Sequence, residues 1–171
     1  GEFLRFQLAP LARFPLPDLL AWRERFIEEK IRPILLPAAA VLLERHRRAG
    51  HRLLIITATN RFITRPIASL LGVEDLIATD PETSAGRFTG EVAGVPAYAA
   101  GKVTRFDAWL EEQGQPASET WFYSDSHNDP PLLERVDHAV AVDPDETLRT
   151  IARSRAWPIV HLREEVPRGN G

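Results

Sequence analysis

Between residues 37 and 162 the chain alternates short apolar runs with segments of helical apolar spacing. The runs are Leu53-Leu54-Ile55-Ile56, Asp75-Leu76-Ile77-Ala78-Thr79, Trp121-Phe122-Tyr123 and Ala139-Val140-Ala141-Val142. An uninterrupted run such as Leu53–Ile56 or Ala139–Val142 is typical of a parallel strand buried on both faces. Strands that alternate with helices need crossover connections, so the expected class is α/β with a parallel sheet. The punctuation agrees. Pro37 opens a helix over 37–49 and Gly50 follows it, with Arg45, His46, Arg47 and Arg48 in the last turn, where cations complement the helix dipole. A second helix runs from about Arg61 to Leu71, closed by Gly72, and Pro66 is expected to break or restart it. Residues 80–100, with Gly86, Gly90 and Gly94, suggest a small β-hairpin. Gly101-Lys102 opens a helix whose stripe is Val103, Phe106, Trp109 and Leu110, and another helix spans 146–155. Residues 157–162 form a terminal edge strand, since Pro158 lacks a backbone donor.

The first third reads differently. A short helix over Phe3–Leu8 is expected to end before Pro10, and a clearer one covers 17–32 with Leu19, Trp22 and Phe26 beside Leu20, Ile27 and Ile31. The expected organisation is a helical segment over 1–33, an α/β core over 34–163 and a frayed tail over 164–171. With 171 residues, 44% of them hydrophobic, the chain holds enough apolar side chains for one core. A net charge of −3 points away from nucleic acid, and the lack of cysteine removes disulfides and thiolate chemistry. No apolar run approaches the ~18 residues of a membrane span and no signal peptide is visible, so a soluble, cytoplasmic protein is expected; nothing fixes its oligomeric state.

Chemistry gathers at strand ends. Trp121–Tyr123 runs into Ser124-Asp125-Ser126-His127-Asn128-Asp129, and Pro130 then starts a helix with Asn128 or Asp129 as its N-cap. In open α/β sheets ligands bind at the carboxyl ends of strands. Asp125 and Asp129, four residues apart, suit a hard cation such as Mg²⁺, which takes a few oxygen ligands and keeps waters or phosphate; the alternative is a polar loop with a capping Asp. The run Leu53–Ile56 ends in Thr57-Ala58-Thr59-Asn60 before a helix. That arrangement offers an anion site of hydroxyls and backbone N–H groups, or simple N-capping. Lys102 stands at a helix start, where the dipole disfavours a cation unless an anion is bound.

Taken together, Ile55-Ile56-Thr57-Ala58-Thr59-Asn60, Gly101-Lys102 and Ser124-Asp125-Ser126-His127-Asn128-Asp129 resemble the second, third and fourth motifs of the haloacid dehalogenase superfamily of phosphohydrolases. The similarity is to subfamily IB, the relatives of phosphoserine phosphatase. Asp-Pro-Glu at 80–82, Arg-Phe-Thr-Gly at 87–90 and Val-Asp-Pro at 142–144 extend it over nearly the whole chain. The resemblance implies a Rossmann-like parallel sheet flanked by helices, with residues 1–33 as the remnant of a helical cap. It implies a Mg²⁺-dependent phosphatase of a small phosphorylated metabolite. Thr57, with Ala58 and Asn60, would bind the phosphoryl group, Lys102 would neutralise its charge and that of the nucleophile, Asp125 would ligate the metal, and Asp129 would ligate it or orient its waters. The nucleophile would be an aspartate that forms an aspartyl-phosphate, with a second aspartate two residues on as general acid and base.

That first motif, Asp-x-Asp-x-Thr on a leading strand, is absent: no Asp-x-Asp precedes Thr57. The chain also lacks methionine. The resemblance therefore implies that the central strand and the start of the cap lie outside these residues, and that residues 1–171 alone would neither fold stably nor turn over substrate. The competing expectation is a non-catalytic phosphate-binding or regulatory relative that has lost the motif.

Overall fold

The computed structural model describes residues 2–114 and 116–163. The tail expected at 164–171 lies outside them. Two helices, α1 (Glu2–Arg13) and α2 (Leu16–Phe26), come first; a π-helical turn over Ile27–Ile31 and a 3₁₀ turn over Arg32–Ile34 continue α2. Pro10 does not end α1 but lies inside it. Leu4, Leu8 and Leu11 are buried, and Leu8 and Leu11 pack with Leu19 against Phe62, Phe88 and Val92, so tertiary contact holds the helix on both sides of the proline.

The core follows as α3 (Pro37–Arg48), β1 (Leu54–Asn60), α4 (Arg61–Leu70), β2 (Asp75–Ser84), β3 (Arg87–Ala93), α5 (Ala100–Glu112), β4 (Trp121–Ser124), α6 (Pro130–Leu133), β5 (His138–Val142), α7 (Glu146–Ser154) and β6 (Ile159–Val160). It is the α/β architecture that the alternating runs require. The 80–100 region forms the expected hairpin, β2 extending into β3 through Ala85-Gly86, both at positive φ as a two-residue hairpin turn demands. Pro66 neither breaks nor restarts α4. A proline at 66 cannot donate to the carbonyl of Phe62, and Arg23 Nη1 donates to that oxygen instead at 3.1 Å. The same guanidinium lies 4.6 Å from the centre of the Phe62 ring, which ties the helical segment to the core.

The strands form two three-stranded sheets, β1-β2-β3 and β4-β5-β6. β1 runs parallel to β2 and β5 runs parallel to both β4 and β6, whereas β2 and β3 are antiparallel. β6 is the short edge strand, and the Pro158 carbonyl takes the Ala141 N–H at 2.9 Å. Among the described residues no ladder joins β1 to β4. A groove of about 500 Å³ lies between them, lined by Leu53–Ile56, Trp121–Tyr123, Leu42, His46, Phe106 and Leu132. The run Leu53–Ile56, expected to be buried on both faces, is therefore only half-buried. Ala139, Val140 and Ala141 of β5, flanked on both edges, are buried. Of the basic cluster at the end of α3, His46 is buried and lies 2.8 Å from both the Tyr123 hydroxyl and His51 Nδ1, and Arg47 donates to the Leu71 and Gly72 carbonyls that close α4.

Candidate active site

Both sheets end at one cavity of about 480 Å³. Its lining includes Thr57 and Ala58 from β1, Lys102 from α5, Ser124, Asp125, Ser126 and Asp129 after β4, and Asp143 after β5. Each functional side chain arrives there for a local reason. At β1 the pairing with β2 slips between Thr57 and Asn60, so the strand end leaves regular register beside the cavity. Thr57 Oγ1 accepts the Thr59 N–H at 3.2 Å, which curls this end into a small turn. Asn60 is buried and serves as N-cap of α4, its Oδ1 accepting the Ile63 N–H at 3.0 Å. It lies outside the cavity lining, so the structure brings Thr57 and Ala58 to the site and gives Asn60 to the helix.

Lys102 is held by a backbone pinch. Ala99 has φ of 46°, and a Cβ on Gly101 would overlap the Pro96 carbonyl oxygen. Only glycine permits the close approach that turns α5 toward the site. Lys102 is then buried, its Nζ 2.6 Å from Asp129 Oδ1. Asp129 occupies the N-cap position of α6 but makes no capping bond. Its Oδ2 instead accepts the Ser124 hydroxyl at 2.6 Å. A buried carboxylate requires such partners, and removing one of a buried ion pair costs ~3–5 kcal/mol.

Asp125 is the opposite case. It is exposed on the cavity, and its carboxylate has no hydrogen bond or ion pair among the described residues. One free carboxylate and one already held by Lys102 and Ser124, four residues apart, offer oxygen donors of the kind that Mg²⁺ takes. Among the described residues no group of three or more His, Cys, Asp or Glu side chains gathers closely enough to hold a metal ion, this loop included. His127, in the same loop, turns away from the cavity to Asp145 Oδ2 at 2.8 Å. Asp145 caps α7 through Leu148 N–H; that bond, then His127, holds its carboxyl below the ordinary range.

The site contains residues that the motifs did not single out: Ser124 as donor to Asp129, and Asp143, Leu162 and Arg163 in the lining. Val-Asp-Pro at 142–144 hinted at Asp143. For Arg163, just beyond an edge strand, no sequence signal existed. Near β2, Asp80 accepts from Arg61 and, at 2.8 Å, from Arg105, bracing α4 and α5 on either side of the site.

The Thr57–Ala58 end of β1, a buried lysine and the two-carboxylate loop after β4 thus share one cavity at the carboxyl ends of parallel strands. The profile of the haloacid dehalogenase-like hydrolases matches residues 2–134, and the chain belongs to that family. Among individual relatives, it is 42% identical to a histidinol-phosphatase of Neisseria meningitidis, over 94% of this chain and 74% of the relative. It is 34% identical to a phosphoserine phosphatase of Mycobacterium tuberculosis, over 85% of this chain but 47% of that protein. A Bordetella pertussis protein of unknown function superposes with a TM-score of 0.90 at 43% identity, covering 94% of this chain and 73% of that one. A phosphoserine phosphatase in apo form shares the fold at a TM-score of 0.67 and 17% identity. No helix among the described residues is long and apolar enough to cross a membrane.

Proposed function

We propose that the full-length protein is a Mg²⁺-dependent phosphatase of small phosphomonoesters that works through an aspartyl-phosphate. The observation that carries this reading is the convergence of Thr57, Lys102, Asp125 and Asp129 on one cavity from three separate chain segments. The Thr57 hydroxyl and the backbone N–H groups beside it bind phosphoryl oxygens. Lys102, fixed by Asp129, places a positive charge where the transferring group gathers negative charge, the interaction from which phosphoryl transfer gains most. Asp125 and Asp129 would hold Mg²⁺, which would supply neutralisation of the phosphate charge.

In this reading the nucleophilic aspartate enters on a β-strand seated between β1 and β4. Among the described residues each of these strands pairs along one edge only, and the groove between them is lined mostly by apolar side chains. A seated strand would satisfy backbone groups on both edges and end beside Thr57 and Asp125. The named relatives supply two candidate substrates, histidinol phosphate and phosphoserine.

The test is a screen of the full-length protein with small phosphomonoesters after chelator treatment, with and without added Mg²⁺. Turnover restored by Mg²⁺ is the expected result. Phosphate binding without turnover of any phosphomonoester would replace this reading with that of a non-catalytic phosphate-binding relative.

A further inference from the structure

Asp143, directly after β5, adopts φ of 40°, in the left-handed region where a non-glycine residue is strained. Its side chain is 13% exposed and spans to the segment after β6. Oδ1 accepts from His161 Nδ1 at 3.1 Å, and Oδ2 accepts the backbone N–H groups of Leu162 at 3.0 Å and Arg163 at 3.2 Å. Burial raises the Asp143 pKa, but these hydrogen bonds outweigh it and keep the carboxyl below its ordinary value. The strained residue thus pins 161–163 across the end of the sheet, and Leu162 and Arg163 line the same cavity as Thr57, Lys102 and Asp125.

The charges of that lining are unequal. Lys102 and Arg163 share that lining with three carboxylates, Asp125, Asp129 and Asp143, and Asp129 already neutralises Lys102. Arg163 forms no ion pair among the described residues. A guanidinium offers two parallel donors to a planar or tetrahedral oxyanion, a match that lysine cannot make.

We propose that Arg163 is a substrate-binding residue of this site, recognising an oxyanion of the phosphomonoester, and that Asp143 is the positioning residue that holds it there. The proposal rests on the phosphatase reading and adds to it a second cation beyond Lys102. Two parts of a substrate carry that chemistry: the phosphoryl group and a carboxylate on the leaving group.

The experiment uses the full-length protein with Mg²⁺ and compares the parent with Arg163→Ala, Arg163→Lys and Asp143→Asn. Steady-state kinetics with phosphoserine, which bears a carboxylate, and p-nitrophenyl phosphate, which does not, run beside calorimetric binding of inorganic phosphate. Arg163→Ala is expected to raise KM about tenfold or more, the worth of one charge-assisted hydrogen bond, with little change in kcat. Arg163→Lys recovers part of the loss, and Asp143→Asn raises KM without adding to the effect of Arg163→Ala in the double variant. Equal effects on both substrates and on inorganic phosphate assign the oxyanion to the phosphoryl group. An effect confined to phosphoserine assigns it to the carboxylate. Turnover with every KM and the phosphate affinity unchanged in Arg163→Ala overturns this inference and leaves the phosphatase reading standing. Arg163-dependent phosphate binding without turnover does the reverse.

Discussion

The two sheets carry runs of similar apolar character and bury them to different degrees. β5 has a partner strand on each side, β4 along Ala139–Ala141 and β6 from Ala141 onward, and these residues disappear from solvent, with Leu148 and Ala152 of α7 packed on them. Leu54–Ile56 of β1 pair on one edge and stay half-buried, although Ile55 packs on Ala68, Leu76 and Ala78. The difference lies in neighbours rather than in side chains. An apolar run sets how much surface benefits from burial, at about 25 cal/mol per Å², but strand order decides whether that surface is covered. The active-site residues straddle the divide, Thr57 coming from one sheet and Asp125 from the other.

The largest effect comes from removing what one sheet brings to the site. Asp125→Asn in the full-length protein is expected to abolish Mg²⁺-dependent turnover while the thermal midpoint holds, because the exposed carboxylate has no hydrogen-bond or ion-pair partner among the described residues. Unchanged activity at saturating Mg²⁺ would remove Asp125 from the metal site. Lys102→Ala is expected to slow turnover by a few orders of magnitude, in line with ~3–4 kcal/mol of lost electrostatic stabilisation. It also destabilises the fold by leaving Asp129 buried without its cation, which a denaturant titration would register.

Paired core truncations address the sheets themselves. Leu148→Ala is expected to cost ~3 kcal/mol, as for a fully buried leucine. With the groove open, Ile55→Ala should cost less than half as much. With a strand seated in it, the two costs converge. Denaturant midpoints of both variants in the full-length protein read this directly, and a persistent gap would argue that the groove stays open. Hydrogen exchange gives a finer view: protection along β1 equal to that along β5 is expected if the groove is filled, and faster exchange confined to β1 would contradict it.

The smallest effect concerns His46, on the wall of the groove. Burial, then His51 and Arg45, hold its pKa below the ordinary value. The folded state therefore favours the neutral ring. Its contribution to stability is complete above an unfolded pKa of about 6.5 and is lost as pH falls through the lowered folded value. Thermal melts between neutral and mildly acidic pH should show that decline, and His46→Gln should flatten it. An identical slope in the variant would place the pH dependence elsewhere.

The comparison also shows what was legible in the sequence. The strand runs made the fold class legible, and the motif spacing picked out Thr57, Lys102 and Asp125, which line one cavity, because both follow from local patterns. The prolines at 10 and 66 misled, since their effect depends on partners distant in sequence: the Leu8 and Leu11 contacts in one case, the Arg23 guanidinium in the other. Asn60 was legible as polar at a helix start, but its choice between cap and ligand is a matter of side-chain direction. Arg163 could not be read at all. Its place depends on a hydrogen bond that its backbone N–H donates to Asp143, twenty residues earlier in the chain.

The pinch at Gly101 has a consequence for the sequences this fold can accept. Since the obstacle to a side chain there is the Pro96 carbonyl rather than a mobile neighbour, no compensating change of residue elsewhere makes room. The loop from Val95 to Ala100 and the glycine form one indivisible unit. A library randomised at position 101 and selected for activity should return glycine alone, while the neighbouring Val103 and Thr104 tolerate several replacements. The site's cation is thus aimed by a stretch of main chain, and substitution elsewhere can drift freely so long as that stretch keeps its shape.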